Sequence, residues 1–309
     1  MNDPSWRKAT AGTAAADAGA EGRSGATVAR MVLGAALARL RASAGLSAGD
    51  ASAASGVSVP LITGLELGQA GTIRLRDVAE LYTAYCVSDL AERATLLGLA
   101  RLANSREWWH GYQDVIPGWF GHYLGLEQAA GLIRGYAVQT IPALLQTPGY
   151  ARALIALGNT GGRGQEAERR VERRVELAMR RQHILHCAAP TLLWAVIDEA
   201  ALRRAAGTRT VMRDQLRHLI ETCDLPHVTI RILPFRLGGH AATGWPLTVV
   251  RLPDRELPDV GYLEQLGGGR YVHAAAHLDY CRHLLNQLAI WAEPAGPPQD
   301  LVAQILRET

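Results

Sequence analysis

SVPLITGLELG, Ser58 to Gly68, opens on a serine suited to cap a helix, carries Pro60 in the first turn where a missing N–H costs little, and ends on a glycine. Between them Ile62 and Leu65 stand three residues apart, so the stretch reads as a short helix with one inward stripe. Upstream, Leu33, Leu37 and Leu40 recur at i, i+4 and i+7, which predicts a first helix closed by Gly45. Ser47 then caps a second short helix over Ala48 to Ala54, whose alanines permit close helix approach. The tight connection SGVS, Ser55 to Ser58, offers Gly56 for a positive φ and Val57 to plug a small core. Val78, Leu81, Tyr82 and Tyr85 mark a fourth helix over Leu75 to Tyr85, and a fifth runs from Leu90 to about Ala103. Leu33 to Val87 therefore read as a helix-turn-helix unit.

Such a unit lays its second helix in the major groove while neighbouring segments grip phosphates. The groove-facing candidates are Ser58, Val59, Leu61 and Thr63, which offer hydroxyl hydrogen bonds and apolar contact with thymine methyls but no bidentate pairing to guanine or adenine. Ser47, together with Arg39 and Arg41 on the first helix and Arg74 and Arg76 before the fourth, supplies the candidate backbone contacts. Over residues 30 to 90 five arginines (Arg30, Arg39, Arg41, Arg74, Arg76) meet five acids (Asp50, Glu66, Asp77, Glu80, Asp89), so the unit is neutral and its nonspecific binding to DNA is expected to be weak. The competing reading is a five-helix bundle used only for protein contacts.

The whole chain of 309 residues carries a net charge of +3 from 32 basic and 29 acidic residues, which implies no strongly charged partner. Cys86, Cys187, Cys223 and Cys281 are widely spaced without a C-x-x-C pair, so a reduced, cytoplasmic chain is expected. No apolar run is long enough to span a membrane, the N-terminus is not a signal peptide, and residues 1–27 read as a disordered tail.

After Ala103 the composition turns aromatic: Trp108, Trp109, Tyr112, Trp119, Phe120 and Tyr123 pack a joint or line a ligand pocket, with His240 as a further candidate for such a pocket. Gly125 to Gly158 reads as a helix, a turn at Ile141-Pro142, and a second helix from about Pro148. GNTGGRG, Gly158 to Gly164, reads as a loop leading into a charged helix from Gln165 to about His186. Strand signals follow at Thr191–Ile197, Val228–Phe235, Pro246–Leu252 and Asp259–Leu266, with helices at DEAALRRA and Val211–Thr222. The last three strands lack intervening helices, which points to a mixed or antiparallel sheet. LGGGR, Leu266 to Arg270, reads as a hairpin turn, a terminal helix spans Ala275 to Trp291, and residues after Pro294 read as a peripheral tail in which DLVAQILRE, Asp300 to Glu308, can form one more turn or two.

Phosphate-cradling, nucleophile-elbow and H-E-x-x-H motifs are missing from the sequence. His273, His277 and Cys281, spaced four apart with His283 nearby, lack a fourth zinc ligand, and His183, His186 and Cys187 read as the end of the charged helix. Neither metal nor cofactor is expected. Asp198, Glu199 and His240 are placed to converge at strand ends, although helix capping explains the two acids without chemistry.

The segments LGAALARLRASAGLS, WWHGYQDVIPGWFGHYLGLEQAA, VQTIPALLQTPGYARAL, LLWAVIDEAALRR, VTIRILPF and LGGGRYV resemble the xenobiotic-response-element type of helix-turn-helix regulators of high-GC Gram-positive bacteria, those carrying the C-terminal domain of toxin-antitoxin-like regulators. The resemblance covers about Val32 to Trp291, with IPALLQTPGYARAL its most specific part. It implies a multi-domain chain: a helix-turn-helix domain over 28–104, an aromatic-rich helical connector over 105–160, and a mixed α/β (α+β) sensing or partner-binding domain over 161–293. The implied function is a non-enzymatic transcriptional regulator, acting as a homodimer on a double-stranded DNA operator, with a small neighbour-encoded protein as a second partner. Ala48 stands where the family usually has Gln, and Gly64 where the recognition helix usually carries Arg. The alternative implied by those departures is a partner-binding or ligand-sensing protein with a degenerate DNA module.

Overall fold

The computed structural model describes residues 25–158, 164–242, 245–254, 257–265, 268–292 and 296–309. Most of the expected N-terminal tail and of the Gly158–Gly164 loop lies outside them. Ala26 and Thr27, placed in that tail by the sequence reading, instead begin the first helix and are buried. The chain divides into two compact units, the first holding the described residues up to His110 with Gly125–Ala129 and Pro253–Leu257, the second holding the remainder.

In the first unit α1 (Ala26–Ser43), α2 (Ala48–Ser55), α3 (Val59–Glu66), α4 (Leu75–Ala84) and α5 (Leu90–Ala103) enclose one apolar core. Leu33, Leu37, Ile62, Val78 and Leu81 are wholly buried in it, with Val57 plugging the space beside the α2–α3 connection. The helix boundaries follow local chemistry. Ser47 and Asp50 form a capping box at the start of α2, and Gly45, Gly56 and Gly68 all take the positive φ that ends a helix cheaply only at glycine. Where α1 crosses α3 the backbones nearly touch: a Cβ at Gly34 would lie 2.8 Å from the Glu66 carbonyl oxygen and closer still to that of Leu65.

The second unit is built on a six-stranded mixed sheet of order β3-β2-β1-β4-β5-β6. Strands β1 (Leu132–Ala137), β2 (Leu192–Asp198) and β3 (Val228–Leu233) run parallel, and β4 (Leu247–Arg251), β5 (Val260–Gln265) and β6 (Gly268–Val272) add as antiparallel neighbours. The element order continues with α6 (Phe120–Ala129), α7 (Pro148–Leu157), α8 (Gln165–Arg181), α9 (Glu199–Arg203), α10 (Arg209–Thr222), α11 (Ala275–Ala292) and α12 (Pro298–Glu308). Crossovers through α7 and α8, then α9 and α10, join the parallel strands, as parallel pairing requires. Val196, Tyr136, Leu247 and Val249 of the sheet pack with Leu285 and Leu288 of α11.

Two expectations fail here and a third holds in part. Leu132–Ala137 is a strand, not helix. Its buried residues are Ile133 and Tyr136, three apart, a spacing that imitates a helix; pairing with β2 on one side and β4 on the other decides the conformation. The hairpin reading of LGGGR holds in part: β5 and β6 pair antiparallel with Gln265 opposite Gly268, but Gly268 and Gly269 belong to β6, where a Cβ at Gly269 would meet the Tyr262 ring at 2.5 Å; Leu266 and Gly267 lie outside the described residues. The supposed peripheral tail forms α12, which buries Val302 and Ile305, while Arg213 donates to the Leu306 carbonyl (3.0 Å) and Arg203 to Glu308 (2.6 Å). No helix among the described residues is long and apolar enough to cross a membrane.

One buried carboxylate ties the sheet to α11. Asp259 accepts from Arg251 at 2.9 Å through each oxygen and from Arg282 at 3.0 Å. Burial pushes the Asp259 carboxyl up, but the bonds and charges of Arg251 and Arg282 outweigh it and hold the group below the usual carboxylate range. A carboxylate depressed by folding contributes stability that is complete above its unfolded pKa of about 4 and is lost as pH falls through the folded value. Asp259→Asn is therefore expected to lower stability by about 1–3 kcal/mol at pH 7, with the gap from the unsubstituted protein closing below about pH 4. Urea unfolding of both proteins across pH 3–7 checks this, and a gap independent of pH contradicts it.

Candidate nucleic-acid interface

The interface candidate is built on α3. Ser55 accepts the Val57 N–H through its hydroxyl, and Gly56 turns the chain at φ +74°, which sets the entry to α3. Ser58 has extended, cap-like backbone geometry, yet its hydroxyl makes no capping bond and the residue is exposed. The expected hydroxyl cap is thus missing, and that oxygen faces solvent. Ile62 and Leu65 face inward; Ser58, Val59, Pro60 and Thr63 face outward. Leu61 is half-buried and packs against the core, so it serves the interior as much as the surface. Val59 remains 40% exposed, an apolar side chain on what would be a groove-facing side.

The arginines fall into two classes. Arg41 is committed inside the fold: its Nε and Nη2 donate to the two oxygens of Glu66 at 2.6 and 2.8 Å, and Nη1 donates to the Leu46 carbonyl at 2.9 Å. This corrects its sequence assignment as a phosphate contact, because all of its nitrogens have partners and its side chain is only 22% exposed. The Glu66 bond holds the Arg41 guanidinium even more firmly protonated. Close by, burial pushes the Tyr85 hydroxyl up to about 12, with the Glu66 charge adding to the effect and Arg41 opposing it. Arg39, Arg74 and Arg76, by contrast, are exposed and make loose pairs of 3.4–3.6 Å with Glu92, Asp77 and Glu80. Exposed pairs of this kind are worth little, so these three guanidinium groups are free to exchange a carboxylate for a phosphate. Ser47 spends its hydroxyl on the capping box with Asp50 (2.6 and 3.1 Å), so it is a structural residue before it is a contact residue.

The aromatic candidates are divided between the two units. Trp108 and Trp109 belong to the first unit, where their rings meet edge-on at 5.6 Å and the Trp108 indole donates to Gln128 at 3.3 Å. In the second unit Tyr112 donates to Glu176 at 2.9 Å with Arg173 over its ring, while Trp119 packs edge-on against Phe120. Phe120, Tyr123, Tyr262 and Tyr271 continue as a chain of ring contacts 4.2–5.6 Å apart, with Arg181 lying over Phe120 and Tyr123. This is a filled aromatic seam.

His240 sits elsewhere in that unit. Its Nε2 lies 3.0 Å from the Tyr136 hydroxyl, which donates to Asp198 at 3.2 Å, and Asp198 also caps α9 by accepting from Ala200. Burial and the Asp198 charge push the Tyr136 hydroxyl strongly upward. Asp198 and His240 thus converge as the sequence allowed. Glu199 instead turns to Arg203 and the Phe235 N–H. Tyr136, which links Asp198 to His240, had no sequence signal because its strand was taken for helix. His273 precedes α11 while His277 and Cys281 lie within it, and no metal-binding group of three ligands forms among the described residues. All four cysteines are free thiols.

Residues 32–96 match the family described as "Helix-turn-helix domain", and residues 120–300 match "Domain of unknown function (DUF5753)". No curated protein and no solved structure matches the chain. The second match spans more than half of the 309 residues, and the chain belongs to the DUF5753 family. Its first unit is a helix-turn-helix domain of the DNA-binding regulator type.

The two arginine classes predict stability effects of different size. Arg41→Ala strands Glu66 and frees α3, and is expected to cost about 1–3 kcal/mol, whereas Arg39→Ala is expected to change stability by less than about 0.5 kcal/mol. Urea or thermal unfolding of the two variants separates them; equal losses would contradict the assignment.

Proposed function

We propose that this DUF5753 family member is a cytoplasmic transcriptional regulator that reads a two-fold operator near its own gene as two copies. In this reading α3 lies in the major groove, Arg39, Arg74 and Arg76 hold phosphates on either side, and the DUF5753 unit senses a ligand or holds a small neighbour-encoded protein. The reading assigns the chain no catalytic step. The observation that carries it is the exposed outer side of α3, from Ser58 to Thr63, on a helix whose inner side is locked into the core. A recognition helix needs both properties at once: a free outer side and an immobile inner one. Base readout would rest on the Ser58 and Thr63 hydroxyls and on Val59 against thymine methyls, a thin set that leans on DNA shape for specificity.

A second reading, a partner-binding protein with a degenerate DNA module, is favoured by Arg41 being consumed internally and by Gly64 standing where the family's arginine would be. A Cβ at Gly64 would have only ordinary contacts, 3.9 Å to Ala70, so the backbone there accepts the root of a side chain without a clash.

The deciding measurement is a polarization titration of the full chain against its upstream DNA over a salt series. Three available arginines in each of two copies predict a log–log salt slope of at most about −5. Arg76→Ala is expected to make that slope shallower by about one unit per copy, and Gly64→Arg to tighten binding at low salt. No rise in polarization at micromolar protein and low salt, unchanged by Gly64→Arg, would support the second reading.

A further inference from the structure

The loop that joins α3 to α4 carries Arg74 and leads into Arg76, yet packing holds little of it. Among the described residues 69–76 only Ile73 is buried, with its side chain in the core of the first unit. The loop's start is tied back to α3, where the Gln69 and Ala70 N–H groups both donate to the Gly64 carbonyl at 2.8 and 3.0 Å. Gly71 and Thr72 are exposed, and a Cβ at Gly71 would meet nothing within 4 Å. A segment this poor in apolar contacts opens easily unless hydrogen bonds hold it.

Those bonds come from a side chain 31 residues away. Asn104, at the C-terminal end of α5, accepts the Ile73 N–H through Oδ1 at 2.9 Å and donates from Nδ2 to the Ile73 carbonyl at 2.7 Å. A side-chain amide carries an acceptor and a donor side by side, so Asn104 answers both backbone groups of one residue as a neighbouring strand does. Apolar burial of the Ile73 side chain is non-directional, whereas the paired bonds fix the direction of its backbone. The helix end does not need this amide: α5 is closed by the Asn104 backbone N–H, which bonds the Arg101 and Leu102 carbonyls. Asn104 is itself exposed, and its side chain serves the loop and not its own helix.

Ile73 is followed directly by Arg74, the N-cap residue of α4, whose side chain is 79% exposed and only loosely paired with Asp77 at 3.6 Å. The Arg74 guanidinium therefore goes where its backbone is sent. We propose that Asn104 is a positioning residue for DNA contact: its amide holds the backbone at Ile73 so that Arg74 meets a phosphate in one fixed place. Asn104 acts through Arg74 and is not itself assigned a contact with the duplex. The proposal deepens the regulator reading and rests on it for its purpose, while the clamp itself is measured on the protein without DNA.

In the free, deuterated protein, Asn104→Ala and, separately, Asn104→Leu, which keeps similar bulk, are expected to lower backbone order parameters over residues 71–74 from about 0.85 to below about 0.6. Helical circular dichroism and the unfolding midpoint are expected to stay nearly unchanged. Against the upstream DNA, Asn104→Ala is expected to weaken binding about ten-fold and to make the log–log salt slope shallower by about one unit per copy, as Arg74→Ala does. Combining Asn104→Ala with Arg74→Ala is expected to cost no more than Arg74→Ala alone, because both substitutions remove the same contact. A merely structural Asn104 gives additive losses, an unchanged slope and a lower midpoint instead. A loop that stays ordered in both variants, or additive losses in the double variant, would overturn the proposal. Failure of the regulator reading looks different: the parent protein leaves its upstream DNA unbound while the loop still loses order in both variants, which removes the phosphate role and keeps the clamp.

Discussion

The fork between Arg41 and Glu66 fixes the one helix whose placement matters most in the first unit. Helix α3 has eight residues, too few to hold its own shape in water, so its geometry is borrowed entirely from what it packs on. Ile62 and Leu65 supply the apolar part of that support, and the Gly34 backbone lets α1 approach until the carbonyls of Leu65 and Glu66 leave no room for a methyl group. Apolar contact is non-directional and would tolerate rotation of α3 about its axis. The planar fork, bonded to both carboxylate oxygens, does not. Fixing the helix in this way consumes a cation that sequence inspection assigns to phosphate. The unit is stiff where it would meet DNA, and short of charge there for the same reason.

In the second unit polar groups are likewise spent on joining elements. Asp259 ties β4 and α11 together through Arg251 and Arg282; Tyr136 ties the ends of β1 and β2 to the segment bearing His240. Arg134 stacks on Trp194 and donates to Asn286 of α11 at 2.8 Å, so the side of the sheet that α11 covers is also closed by a cation over an aromatic ring. Buried polar groups placed like this specify one packing among many apolar alternatives, because any other arrangement would leave them unbonded.

What the sequence disclosed divides along the same line. The five helices of the first unit were legible because their ends are written in local chemistry: Ser47 with Asp50, and glycines at 45, 56 and 68 in positive φ. Strand β2 was legible as a continuous apolar run, as expected of a strand covered on both faces. Strand β1 was not, since Gly135 breaks its alternation and its conformation is imposed by neighbours distant in sequence. The C-terminal helix was legible only as a turn or two in a peripheral tail, because Val302 and Ile305 acquire meaning only beside α10. For the site, residue types were legible and their commitments were not. Composition counts Arg41 and Arg76 as equal charges, while one is locked in a fork and the other is exposed and only loosely paired with Glu80.

A unit with three available guanidinium groups and no bidentate base reader gains little from any single encounter with a duplex. Two such units held rigidly together gain far more, because the second engagement becomes intramolecular and its cost in lost freedom has already been met. Rigidity is then worth more than added charge, since two loosely joined units would sample the spacing of successive major grooves only part of the time. A short α3 fixed by a fork has the immobility that such a binder requires. In the proposed two-copy reading, specificity is concentrated in the distance between two weak contacts, with little demand on the chemistry of either.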